Sequence, residues 1–175
     1  MRWMIAVGVM FMTLGILGAI LDRPDPAFPG DSWWVLQAPD ALEIYSVDPG
    51  PEGFEPPWPH IGEVAGFQTY AKAEVRDRQT QGKLSEALLG EVVRHPTQFT
   101  KCFAPRHALR AERDGKVVTV LICFSCGYME VRAGGKVVRS VIRGRSKPLF
   151  DETLRSLGVT PVPDQAEPGS AGAGT

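Results

Sequence analysis

Apolar residues follow three rhythms along this chain. From Met4 to Leu21 they run almost without interruption, with no charge and no proline, and Thr13 is the lone hydroxyl. At about 1.5 Å per residue such a helix nearly spans a hydrocarbon core about 30 Å thick. A buried helix of a soluble domain would carry a polar face, so a membrane anchor is expected. Further along, Leu42-Glu-Ile-Tyr-Ser-Val47 alternates with a period of two and predicts a strand, which Asp48-Pro-Gly-Pro ends. Pro49 to His60 reads as a loop, and Gly66 to Val75 as a second strand. A helical period appears at Leu84, Leu88 and Val92, predicting a helix over 80–94 that Pro96 stops. Gly90 within it costs about 1 kcal/mol relative to alanine.

Two glycine turns organise the next stretch. Asp114-Gly115 and Gly134-Gly135 are each flanked by β-type runs, a strong hairpin signal. A two-residue loop at the first pairs Arg113 with Lys116, Ala111 with Val118 and Leu109 with Val120. The second pairs Val131 with Val138 and Glu130 with Arg139. A meander over 107–142 follows. Lys147 to Leu157 predicts a closing helix, with Pro148 in its first turn and Gly158 as its C-cap. The fold class is α+β, mainly antiparallel: two early strands, one helix, a β-meander and a short C-terminal helix behind an N-terminal transmembrane helix.

Proline and glycine mark the boundaries. The run DRPDPAFPGD (22–31) reads as an extended linker, and PVPDQAEPGSAGAGT (161–175) as a disordered tail. The expected division is an anchor over 1–21, a linker over 22–32, a domain over 33–160 and a tail over 161–175. Small residues one and three places before a cleavage point are missing: Ala19 follows Leu17 at that spacing, and Gly18 follows Ile16. No cysteine is nearby to take a lipid. The expectation is an uncleaved anchor. Arg2 and the terminal amine precede the span, whereas Asp22-Arg23-Pro24-Asp25 follows it, so the N-terminus is expected in the cytoplasm and the domain outside. Trp33-Trp34 could serve the membrane interface or the core equally well.

Charge adds one contrast to this picture. The net charge is only −1, but nine acids stand against one base over 22–63, and eleven bases against three acids over 101–147. Their mutual pairing across one fold is the first expectation, and a basic surface for anionic partners the second. An extracytoplasmic domain would not meet nucleic acid as an everyday partner.

The candidate chemistry lies in the meander. Cys102 precedes its first strand, His107 opens that strand, and Cys123-Phe-Ser-Cys126-Gly127 ends its second. The hairpin register sets His107 opposite Ile122 and Arg106 opposite Cys123, with Phe103 near Cys126. Three readings stand side by side. Cys102, His107, Cys123 and Cys126 could form a structural Cys3His zinc site, with Gly127 allowing the turn that such a Cys-x-x-Cys needs. Cys102 could instead form a disulfide with Cys123 or Cys126, leaving an odd thiol, or Cys123 and Cys126 could cycle as a redox pair, with Arg106 and His107 supplying a cation for a thiolate. Or the cysteines could be small core residues with His107 as a satisfied neighbour. Gly127 stands where a haem-attachment motif needs histidine. No nucleophile elbow, phosphate loop or His-Glu-x-x-His is present, and His60 and His95 each adjoin a proline, so no catalytic residue is assigned.

With Cys-Phe-x-Pro-Arg-His (102–107) and Ile-Cys-Phe-x-Cys (122–126) in view, the chain resembles a group of small, uncharacterised bacterial proteins. These look like exported, lipid-anchored or membrane-anchored domains sharing that paired pattern. The resemblance covers about 42–128 and implies that the cluster is a shared feature of the group. It brings no activity, ligand or fold with it, and this chain lacks the N-terminal cysteine of lipid-anchored members. The function expected from all this is a membrane-tethered extracytoplasmic module pinned by the Cys3His site, with an unidentified protein partner. The alternative is a thiol–disulfide redox protein using Cys123 and Cys126.

Overall fold

The computed structural model describes residues 27–30, 32–50, 58–94 and 102–163. The expected anchor, most of the linker, His95 and the tail from 164 onward lie outside the described residues. Among the described residues no helix is long and apolar enough to cross a membrane.

The fold is α+β. The elements in chain order are α1 (Ser32–Gln37), β1 (Ala41–Val47), β2 (Gly62–Val64), β3 (Phe67–Glu74), α2 (Arg78–Glu91), β4 (His107–Arg113), β5 (Lys116–Cys123), β6 (Tyr128–Ala133), β7 (Lys136–Val141) and α3 (Lys147–Ser156). The strands form one antiparallel sheet of seven, in the order β2-β3-β1-β4-β5-β6-β7. The expected meander register is observed from His107 onward: Arg113 faces Lys116, His107 faces Ile122 and Glu130 faces Arg139, while Arg106, expected opposite Cys123, lies outside the ladder. Local chemistry explains this agreement. Asp114-Gly115 and Gly134-Gly135 both have positive φ at each position, as a type I′ turn requires.

Alternation along the strands divides the sheet into two faces. Leu42, Ile44, Leu109, Val118, Val120, Ile122, Met129 and Val131 point to one face, where they join Leu84, Leu88, Phe150 and Leu154 of the helices in the main core. The other face carries a second cluster of Tyr45, Val47, Val64, Ala108 and Leu121. It is covered because the sheet curls. The β2–β3 turn folds over it, and Arg132 Nη1 of β6 donates to the Ala65 carbonyl at 2.6 Å. At the rim, Glu130 accepts from Arg132 and Arg139.

Several boundaries differ from the sequence expectation. Ala27, Phe28 and Ser32 are buried, so packing begins inside the expected linker, and buried Val162 carries it past 160. Helix α1 was not expected. Its Trp34 lies under the Arg113 guanidinium, 3.8 Å from the ring centroid, so the Trp pair belongs to the domain's packing. Helix α2 starts earlier, at the cap where Asp77 accepts from the Thr80 amide at 2.8 Å. It also stops earlier, because Val92 bridges to Ile142 and the Val93 amide bonds to Val141 at 2.9 Å. At its end, buried Glu91 accepts from the Ser146 amide and so ties α2 to the start of α3. The strand β2 was not expected, and Gly66, expected to start the second strand, instead forms a turn with Ala65. Of the expected pairing between acidic and basic halves, Glu43 meets Arg110 at 3.5 Å.

Candidate functional site

Cys123 is the last residue of β5, and the chain turns at once into β6 through Phe124, Ser125, Cys126 and Gly127. The Gly127 amide donates to Phe124, and the Gly127 carbonyl accepts from Ile142 at 2.9 Å. Gly127 has φ +71°, where a Cβ would also meet the Ile142 carbonyl at 3.4 Å. This tight turn brings the two cysteine Cα atoms to 5.3 Å, and Cys123 and Cys126 form a disulfide. A regular strand could not do this, because residues three apart would point to opposite faces.

The two sulfurs differ in surroundings. Cys123 is 1% exposed and Cys126 is half-buried. The Cys126 amide donates to Cys123 Sγ at 3.2 Å, and Ser125 Oγ lies 3.5 Å from the same sulfur. Arg106, immediately before β4, is buried and directs Nη1 at Ser125 Oγ, 3.4 Å away.

His107 lies elsewhere. Its strand partner is Ile122, and both face the helices, whereas Cys123, one residue further on, faces the other side of the sheet. His107 is 1% exposed and its Nε2 is 2.8 Å from Asp151 Oδ1 on α3. Lys147 Nζ donates to the other oxygen of Asp151 at 2.7 Å. Burial opposes charge on Asp151, but the hydrogen bonds from His107 and Lys147 outweigh it and hold the carboxyl below its usual range. The rings of Phe124 and Phe150 meet the imidazole nearly edge-on, with centroids 5.2 and 6.2 Å away. Cys102 is exposed and outside the disulfide. Among the described residues, no group of three His, Cys, Asp or Glu side chains is placed to hold one metal ion. The structure thus joins two of the four expected ligands, Cys123 and Cys126, and gives His107 a different partner.

The chain matches no family model, no curated protein and no solved structure. The reading of the site therefore rests on its own geometry.

Sequence reasoning missed Asp151 and Ser125. The Lys147–Asp151 spacing of four on a helix was the available signal for an ion pair there. Ser125 carried none, since its role depends on the turn. A groove of about 570 Å³ lies at the opposite end of β5, between α1 and the two glycine turns, with Ser32, Lys116 and Lys136 on its walls. It does not reach the cysteines.

Proposed function

We propose that this chain is a membrane-tethered extracytoplasmic module whose chemistry is thiol–disulfide exchange at Cys123 and Cys126. One observation carries the redox reading: the two cysteines are joined across a tight turn, with Cys123 buried and Cys126 half-buried. A dithiol on a partner protein is the reductant by class. One of its thiolates attacks Sγ of Cys126, the Cys123–Cys126 bond breaks, and the electron pair leaves on Cys123. The partner's second thiolate then attacks its own sulfur in the mixed disulfide and releases Cys126. The partner ends oxidised, and this chain ends as a dithiol with two electrons gained. The reverse sequence would oxidise this chain. The uncharged run Met4–Leu21 supports the tether, and the sparse positive charge before it supports an exterior domain.

The test is equilibration of the purified full-length protein in glutathione buffers, followed by alkylation and mass counting. A potential above about −300 mV supports cycling, because structural disulfides lie below that value. A lower potential leaves the bond as a structural staple. One zinc per chain in protein purified without reductant, with all three thiols masked, would instead favour the zinc-pinned reading over the Cys102, His107, Cys123 and Cys126 set. Orientation is tested separately: a reporter active only in the cytoplasm, fused after Thr175, should be silent.

A further inference from the structure

A buried guanidinium normally has a carboxylate beside it, because an unpaired charge away from water is costly. Arg106 has none. It is 5% exposed; among the described residues its Nε has no hydrogen-bond partner, and its one side-chain bond is the long contact from Nη1 to Ser125 Oγ at 3.4 Å. Among the described residues, the ion pairs of the neighbouring strands go to other arginines: Glu43 takes Arg110, and Glu130 takes Arg132 and Arg139. Ser125, the partner of the Arg106 side chain among the described residues, is also 3.5 Å from Cys123 Sγ. Among the described residues, no anion balances this cation while the cysteines are joined.

We infer that Arg106 is the built-in counter-cation for Cys123 as leaving thiolate, and that it makes Cys126 the sulfur an incoming thiol attacks. This rests on the redox reading given above. Three groups converge on Cys123: the Cys126 amide at 3.2 Å, the Ser125 hydroxyl at 3.5 Å and, through that hydroxyl, the Arg106 guanidinium. Each favours negative charge on that sulfur. Burial reinforces the choice, since Cys123 is closed to solvent and only Cys126 can be approached from water. When the incoming thiolate bonds to Cys126, the S–S bond breaks and the negative charge passes to Cys123. There it meets the waiting cation. Arg106 acts as a positioning and charge-balancing residue and touches the reacting sulfur only through Ser125.

The experiment compares full-length wild type, Arg106→Met and Arg106→Lys in detergent, each equilibrated against a dithiothreitol redox buffer. Arg106→Met should lower the equilibrium constant for reduction about tenfold, equivalent to about 30 mV for a two-electron couple. Arg106→Lys should stay within about threefold of wild type, because it keeps the charge. A brief exposure of the oxidised wild type to glutathione, quenched with acid, should place the adduct on Cys126. A change below threefold in Arg106→Met, an equal fall in Arg106→Lys, or an adduct on Cys123 overturns the inference. Failure of the parent reading looks different. If glutathione never reduces the wild type, cycling is lost, while the ratio of Met variant to wild type in dithiothreitol still decides what Arg106 does.

Discussion

Arg132 of β6 reaches the carbonyl oxygen of Ala65, 67 positions away in sequence, at 2.6 Å. This bond joins the turn between the first two strands of the sheet order to the sixth strand. It closes the curl over Tyr45, Val47, Val64, Ala108 and Leu121, which would otherwise form a wet sheet face. The same guanidinium also bonds Glu130, whose carboxyl is held below its usual range by Arg139 and Arg132 against the opposing effect of burial.

Replacing Arg132 with alanine should therefore cost about 2 kcal/mol, the scale of charge-assisted hydrogen bonds lost at a half-buried site. Urea unfolding checks this. An unchanged midpoint would mean that the curl holds by apolar packing alone.

Ala65 has φ +50°, a conformation costly for an L residue, and Gly66 follows it at +84°. Asparagine–glycine is the pairing a type I′ turn favours. Ala65→Asn should raise stability by about 1 kcal/mol, provided its carbonyl keeps the bond to Arg132. Thermal melts of the two proteins would show the gain, and a lower melting temperature would count against the turn assignment.

Asp151→Asn should reveal its cost through pH. The folded carboxyl titrates below its ordinary 3.8, so its contribution is complete above that value and fades as pH falls through the folded pKa. At pH 7 the variant should be less stable by about 3 kcal/mol, as for a broken buried pair. The gap to wild type should narrow below about pH 4. Denaturant midpoints at pH 7, 5 and 3 measure it, and a gap constant across that range would contradict the ion-pair role.

Gly127→Ala puts a side chain at φ +71° and brings its Cβ to 3.4 Å from the Ile142 carbonyl. A loss of about 1–2 kcal/mol is expected, from left-handed strain with a residue other than glycine. Because this turn brings Cys123 and Cys126 together, the variant should also re-form the disulfide more slowly after reduction. Timed alkylation during reoxidation reads that rate.

The parts legible in the sequence were those decided locally. Glycine at a two-residue turn sets φ, the turn sets register, and register paired His107 with Ile122 and Glu130 with Arg139. Helix α3 was legible for the same reason: Pro148 and Gly158 mark its ends, and Phe150 and Leu154 share one face. Ala65-Gly66 escaped notice because alanine gives no warning of a positive φ. Six-residue α1 escaped because so short a helix has little stability of its own and depends on contact with β4 and β5.

The site divides along the same line. By itself the sequence determined that Cys123 and Cys126 lie at the end of a hairpin strand, and that a glycine follows to turn the chain. The alternation that sends His107 and Cys123 to opposite faces was implicit there too, once Ile122 was paired with His107. Only the tertiary structure decided what each face meets. Asp151 reaches His107 from 44 positions away, and Arg106 is buried beside Ser125 with no carboxylate among the described residues. Such partners come from helix docking and sheet curl, which depend on the whole packed core. No local preference of the chain encodes them.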